Sequence, residues 1–164
     1  MHGNVSLNRR TILTTLAGIA VAQAAGLVGL ILMGSGLRDW YPKLKRPSYN
    51  PPGWVFGPVW TALYTLMGIA VAVVWRREAG ERRTLALTLF GTQLLLNALW
   101  SGAFFGLRSP LAGLADMLAL WLAIVATMIV FMTLSPLAAL LLVPYLVWVS
   151  FASLLNFAVW RRNR

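Results

Sequence analysis

The chain has 164 residues and a mean hydropathy of +0.74, with 59% hydrophobic and 11% charged residues. Soluble domains carry about 25% charged residues, so this composition excludes both a soluble domain and a disordered chain. The 14 Lys and Arg against 4 Asp and Glu lie in short clusters between apolar runs. Membrane proteins carry positive charge in this way, and we expect no nucleic-acid partner. The chain has no cysteine and one histidine, His2, so we predict no metal site.

Five charge-poor runs are each long enough to cross a membrane, which takes about 20 apolar residues. No charge occurs between Met117 and Trp160, and one helix of that length would measure about 66 Å. The run must therefore break, and Ser135-Pro136 is the natural place because proline disfavours helix at the preceding residue. The sequence predicts a single domain, 1–164, an all-α integral membrane protein that forms a bundle of five transmembrane helices. The predicted spans are 11–33, 54–75, 84–105, 111–133 and 137–160.

The first span has some features of a cleaved targeting signal. Asn8-Arg9-Arg10 resembles part of a twin-arginine signal, and Ala20-Val21-Ala22 resembles a cleavage site. A signal h-region is about 7–15 residues long, whereas the run 11–33 is longer. We therefore expect this helix to be retained in a multi-pass membrane protein.

The longest connection, residues 34–53, is rich in proline and carries four basic residues. It lies on the same face as Arg108 and the residues after the fifth span. Eight Lys and Arg fall on this loop face against six on the other, which slightly favours a cytoplasmic loop face. The balance does not identify the membrane that holds the protein.

Unusual polar and aromatic residues gather in the half of the membrane beneath this loop. Residues of this kind are costly inside a membrane and usually face the bundle interior. We therefore predict a pocket capped or opened by the first loop. Counted from the span ends, the residues of this half are Trp60, Asn97, Trp100, Asp116, Trp148 and Asn156.

Each of these residues also has a structural interpretation. Asn97 and Asn156 could be hydrogen-bonding links between helices. Asp116 could cap the fourth helix at the positive end of its dipole or pair with Arg108. Trp100 could fill space or face lipid. Clustering in one half favours the pocket over scattered structural roles.

Small residues recur on two spans. Gly102-x-x-x-Gly106 ends the third span, and Gly18, Ala22 and Gly26 repeat at spacing four on the first. Such spacing lets helix backbones approach closely. The glycines could form a dimer interface or pack helices within one bundle.

The spans contain no catalytic triad, phosphate loop or carboxylate pair. The pattern favours a large, flat, apolar ligand held by stacking on tryptophan, with no cofactor required. Basic loop residues could pair with carboxylates of the ligand. These loop charges are Arg38, Lys43, Lys45 and Arg46.

Three segments resemble one known family. Residues 40–64 read WYPKLKRPSYNPPGWVFGPVWTALY, residues 93–106 read QLLLNALWSGAFFG, and residues 135–163 resemble the fifth helix of that family. The chain is thereby identified as a bacterial-type member of the translocator protein family (TspO/MBR, tryptophan-rich sensory proteins). The resemblance implies a five-helix bundle, often a homodimer, whose pocket binds protoporphyrin IX or haem. In some members it also binds cholesterol or drug-like ligands.

The resemblance also implies a site and a role. It suggests a receptor-like sensor or regulator of tetrapyrrole and stress responses, with light-dependent breakdown of protoporphyrin IX or facilitated transport of porphyrin or sterol-like ligands as alternatives. An enzymatic role is the less favoured interpretation; Trp60 and Trp148 are its candidate catalytic residues. Carried over by motif, the ligand-binding residues are Trp40, Pro51, Pro52, Trp60, Asn97, Trp100, Trp148, Ala152 and Asn156.

Three positions depart from the family pattern. Arg46 replaces a usual lysine and keeps its charge, whereas Tyr49 replaces a usual tryptophan and offers a smaller stacking surface. Phe157 stands where sterol-binding animal members have a tyrosine, which lowers the expectation of tight cholesterol binding. Lipid or sterol remains a possible partner, because such motifs are weak signals in either direction.

Overall fold

The computed structural model describes residues 8–164, so His2 lies outside the described part. Within that part every regular element is helical. Five of the helical segments are long and apolar enough to cross a membrane, which confirms the predicted bundle of five transmembrane helices. The elements are α1 (Arg9–Met33), α2 (Gly36–Asp39), a 3₁₀ turn (Tyr41–Lys43), α3 (Gly53–Trp75), α4 (Glu81–Ser101), a π-helical segment (Gly102–Gly106), α5 (Pro110–Leu134), α6 (Pro136–Leu140) and α7 (Val143–Arg162).

The fifth span is less regular than predicted. The chain breaks at Ser135, where the backbone is extended, and α6 begins with Pro136. A second interruption at Leu141 and Leu142 separates α6 from α7. Pro144 lies in the first turn of α7 and has no N–H to continue the helical ladder of α6. The span is therefore two helices joined by a turn.

The five spans form a ring. α1 packs against α3 and α4, α4 packs against α5, and α5 packs against α7. α3 completes the ring through contacts with α6 and the beginning of α7. Aliphatic and small residues, together with the stacked rings of Phe90 and Phe131, fill the part of the ring away from the first loop, and Met67, Ala70 and Ile124 are fully buried there.

Two glycines bring α1 and α3 into close contact. A Cβ at Gly68 would lie 2.5 Å from the backbone nitrogen of Ile19, and Gly18 faces Gly68 across the interface. Ala22 of α1 is fully buried, and Gly26 lies against the Tyr64 ring. The small residues of α1 therefore pack inside one bundle.

Gly102 and Gly106 are also used within the bundle. A Cβ at Gly102 would contact Leu32 of α1, and a Cβ at Gly106 would lie 2.6 Å from the carbonyl oxygen of Leu32. Of the two roles that the sequence left open, the structure shows packing within one chain. The homodimer stays a prediction.

Candidate functional site

A cavity of about 490 Å³ lies inside the ring beneath the first loop. Residues of α1, α3, α4 and α7 line it together with the loop and the π-helical segment. Most of the lining is apolar or aromatic, and a few amide and hydroxyl groups converge on it. Small-molecule sites usually have this composition and volumes of about 300–1,000 Å³. The lining residues include Met33, Tyr41, Arg46, Asn50, Pro51, Phe56, Trp60, Tyr64, Asn97, Trp100, Phe104, Phe105, Ala152, Asn156 and Val159.

Asn97 links three helices at one end of the cavity. Its Oδ1 accepts a hydrogen bond from the Tyr64 hydroxyl, and its Nδ2 donates to the Tyr145 hydroxyl over 3.0 Å. Tyr145 and Asn97 are almost fully buried. Trp60 stacks on Tyr64 with ring centroids 5.5 Å apart and meets Tyr145 edge-on at 6.3 Å. The network fixes the Trp60 indole against the cavity.

Asn156 performs a similar task nearer the loop. Its Oδ1 accepts from the Trp100 indole N–H over 3.2 Å, and its Nδ2 donates to the carbonyl of Pro110 over 2.7 Å. Gly113 makes room for this arrangement, since a Cβ there would lie 2.9 Å from Asn156 Oδ1. Both asparagines are therefore links between helices and at the same time part of the cavity wall.

The π-helical segment supplies two phenylalanine rings. Trp100 stacks on Phe104 at 5.5 Å and meets Phe105 edge-on at 5.8 Å. A π-helical turn shifts the register of the residues that follow it, and such turns are frequent at functional sites. Phe104 and Phe105 both line the cavity as a result.

The first loop is tied to these rings. Trp40 meets Phe104 edge-on at 5.5 Å, and Tyr41 meets Phe105 at 5.4 Å. The guanidinium of Arg46 lies over the Tyr41 ring, 5.2 Å from its centroid. The Tyr41 hydroxyl donates to Asn50 Oδ1 over 3.1 Å. One positive charge is thereby placed at the rim of the cavity.

The structure brings six of the nine sequence-predicted ligand residues together in the lining and leaves three outside. Trp40 packs behind the lining on Phe104, and Pro52 is exposed at the beginning of α3. Among the four loop charges, Arg46 lines the cavity, whereas Arg38, Lys43 and Lys45 are outside its lining. The six lining residues are Pro51, Trp60, Asn97, Trp100, Ala152 and Asn156.

Trp148 is the third residue outside the lining. It meets Phe56 edge-on at 5.9 Å, and Phe56 lines the cavity. Within the described residues, its buried indole N–H has no hydrogen-bond partner. Trp148 therefore forms a second layer behind Phe56 in this arrangement.

Asp116 neither caps α5 nor pairs with Arg108. Ser109 caps α5 by accepting from the N–H of Ala112 over 3.2 Å. The Arg108 guanidinium donates to the Ser35 hydroxyl over 3.3 Å. Among the described residues, the buried Oδ2 of Asp116 has no hydrogen-bond partner.

Sequence reasoning did not include Tyr145, Phe104 or Phe105 in the site. Tyr145, Ala152 and Asn156 are separated by seven and four residues, which places them on one face of a helix, so this spacing could have identified Tyr145. No pattern in the sequence predicts the π-helical segment that places the two phenylalanines in the cavity lining. In residues 8–164 no group of three His, Asp or Glu side chains could hold a metal ion.

The five-span helical bundle defines the chain as a multi-pass integral membrane protein, and the aromatic cavity under its first loop is its candidate binding site. Sequence comparison identifies the family. The profile of the TspO/MBR family matches residues 18–161, and the chain belongs to this family. It is 45% identical to the tryptophan-rich protein TspO of Chlorobaculum tepidum over 158 residues, covering 94% of this chain and 98% of the relative.

Two further relatives carry different names. The translocator protein of Homo sapiens is 46% identical over 132 residues, covering 79% of this chain and 78% of that protein. The tryptophan-rich sensory protein of Cereibacter sphaeroides is 38% identical over 148 residues, covering 90% of each. The chain is therefore similar over most of its length to proteins named for translocation and for sensing.

Proposed function

We propose that this bacterial-type family member binds a tetrapyrrole, protoporphyrin IX or haem, in the cavity and acts as a membrane sensor or regulator of tetrapyrrole levels. The observation that carries the proposal is the pair of aromatic surfaces, Trp60 on Tyr64 and Trp100 on Phe104, that face one cavity. Flat aromatic ligands gain most from such walls, because offset stacking adds to the burial of apolar area.

The charge at the rim fits the same class of ligand. A porphyrin with propionates has an apolar ring and an acidic edge. With the ring between the aromatic walls, the acidic edge would lie toward the loop, where Arg46 offers a guanidinium. Guanidinium groups bind carboxylates through two parallel hydrogen bonds.

The lining also bears on the choice between metal-free and iron-bound forms. Haem iron is usually held by His, Cys, Met or Tyr. The lining includes Met33, Tyr41 and Tyr64 but neither histidine nor cysteine. Tyr64 is engaged with Asn97. Binding would therefore rest on stacking and shape, and protoporphyrin IX should bind at least as well as haem.

A titration with protoporphyrin IX in the dark tests this proposal. Quenching of tryptophan fluorescence in nanodiscs should be saturable, and Trp100→Leu should weaken binding by about tenfold, since stacking contributes about 1–3 kcal/mol for aromatic groups. Trp75→Phe is the matched control, because Trp75 is 54% exposed at the far end of α3. Quenching that never saturates, or equal affinities for both variants, would contradict a site in this cavity.

Light-driven breakdown of the bound porphyrin by dioxygen is a second candidate function. The position of Trp60 supports this function, because its indole lines the cavity and would contact an excited macrocycle bound there. The test is illumination of the complex in air. The Trp60→Phe variant should still bind the porphyrin but should no longer form the absorbing breakdown product. Bleaching of the porphyrin by this variant at the wild-type rate would contradict light-driven breakdown as a function. Trp148→Phe should have the smaller effect, because Phe56 separates its neighbourhood from the cavity.

A further inference from the structure

The side chain of Asn163 pairs with the backbone of the first loop. The N–H of Lys45 donates to Asn163 Oδ1 over 3.0 Å, and Asn163 Nδ2 donates to the carbonyl of Lys45 over 3.1 Å. One amide side chain thus satisfies both backbone groups of a residue 118 positions earlier in the chain. A neighbouring β-strand would pair with Lys45 through the same donor and acceptor.

The Asn163 side chain is itself held on the end of α7. Its Nδ2 also donates to the carbonyl of Val159 over 2.7 Å, one turn back along the helix. The neighbouring Arg162 donates from Nη1 to the carbonyl of Arg46 over 3.2 Å. Arg162, the last residue of α7, and Asn163, which follows it, thereby bind two successive loop residues. We refer to these contacts of Arg162 and Asn163 with Lys45 and Arg46 as the clasp.

The clasp holds the part of the loop that reaches the cavity. Arg46 lines the cavity, whereas Lys45 does not. The beginning of the loop has a separate attachment, through Trp40 and Tyr41 on the buried rings of Phe104 and Phe105. The loop is therefore fixed by an aromatic contact at its beginning and by polar contacts further along.

These two attachments differ in how easily they open. The aromatic contact removes apolar area from water and would be lost at high cost. The clasp is made of exposed polar groups that can exchange their partners for water, so its net stabilisation is small. Segments held in this way open locally while the rest of the protein stays folded.

We infer that the clasp closes the first loop over the cavity, and that its opening, controlled by Asn163, lets a large ligand pass the loop. The second half of this inference rests on the proposed function, because it concerns a ligand in the cavity. Asn163 is then a positioning residue, since it acts through the loop backbone and does not line the cavity.

Amide hydrogen exchange of the ligand-free protein tests the clasp directly. The Lys45 N–H is one of its donors, so a peptide that covers residues 41–50 reports its opening. Asn163→Ala should speed exchange at Lys45 by about tenfold, the effect of losing two hydrogen bonds of ordinary strength. Asn163→Asp keeps the acceptor for Lys45 and loses the donor, and should give a smaller acceleration.

Arg164→Ala is the matched control. Arg164 follows Asn163 and lies over the Trp160 ring at 5.2 Å, so its loss removes a charge from the same place without touching the loop. Exchange in residues 41–50 should be unchanged in this variant. Circular dichroism of all three variants checks that the helices are intact. Wild-type exchange at Lys45 in Asn163→Ala would overturn the inference.

Dissociation of protoporphyrin IX, followed by recovery of tryptophan fluorescence in stopped flow, tests the second half. Asn163→Ala should raise both association and dissociation rates about equally, and Arg164→Ala should raise neither. Faster exchange with unchanged ligand rates would overturn the role of the clasp in ligand passage. Should the wild type not bind protoporphyrin at all, the proposed function fails, and the exchange experiment still decides whether the clasp holds the loop.

Discussion

The helices pack differently in the two halves of the bundle. Away from the first loop, small residues allow backbones to touch, as at Gly18 and Gly68. Beneath the loop, aromatic side chains and two hydrogen-bonded asparagines line a cavity between the helices, although Gly102 and Gly106 still bring the π-helical segment close to α1. Small residues let two helix backbones approach closely, and the many dispersion contacts at short distance stabilise that approach. Aromatic rings, in contrast, leave space between the helices. A bundle with one closed half and one spread half has a cavity at a single end.

The largest effect is expected in the closed half. Gly68→Ala should destabilise the protein by about 2 kcal/mol, because its Cβ would overlap the backbone of α1 and force the helices apart. Gly91→Ala is the matched control: a Cβ at Gly91 would meet nothing within 4 Å, and alanine is the better helix former by up to about 1 kcal/mol. Thermal unfolding in detergent should separate the two variants. Equal stability would show that the close contact is not essential.

A slightly smaller effect is expected where the two halves meet. Asn97→Leu would strand the buried hydroxyls of Tyr64 and Tyr145, at a cost of about 1–2 kcal/mol. Gln93 lies one helical turn from Asn97 on the same face and is 1% exposed. Among the described residues its amide has no hydrogen-bond partner. Gln93→Leu should therefore be neutral or stabilising, and a loss as large as that of Asn97→Leu would mean that the amide has a partner, such as a buried water.

In the half beneath the first loop, the charge at the cavity rim should affect ligand binding and have little effect on the stability of the fold. Arg46→Gln should weaken protoporphyrin binding about threefold to tenfold, the range expected for a charge-assisted contact at a solvent-facing rim. Arg38→Gln removes an equal charge from the same loop outside the cavity lining and should have little effect. Titrations at two salt concentrations check the result. An equal loss in both variants would point to the general field of the loop instead of one contact.

The smallest effect concerns the turn that follows the π-helical segment. Arg108 has φ of 53°, a left-handed conformation that glycine adopts without strain. Arg108→Gly should raise stability by up to about 1 kcal/mol, measured by thermal unfolding. Ser35→Ala tests a competing contribution, the hydrogen bond from Arg108. A destabilised Arg108→Gly beside an unchanged Ser35→Ala would contradict the expected relief of strain.

Much of the helical architecture followed from simple quantities. Runs of about 20 residues with at most one charge predicted five membrane-spanning helices, because hydrocarbon thickness fixes helix length. The break at Ser135 followed from the restriction that Pro136 places on it. The interruption before Val143 was missed, although Pro144 carried the same signal within an apolar run. Residue depth, counted from span ends, located the half of the membrane that holds Asn97, Trp100 and Asn156.

Depth is a coordinate along a helix, and the sequence determines it well because the rise per residue is constant. The direction in which each side chain points, and what meets it, depends on how helices rotate and pack against one another. That is why tertiary structure alone placed Trp148 behind Phe56, gave Asn97 its two tyrosine partners and joined Asn163 to Lys45. By itself the sequence determined the class of protein and its five membrane-spanning helices, and it predicted a pocket beneath the first loop. Packing decided which residues face the cavity, because contacts between helices far apart in sequence leave no periodic signal within either one.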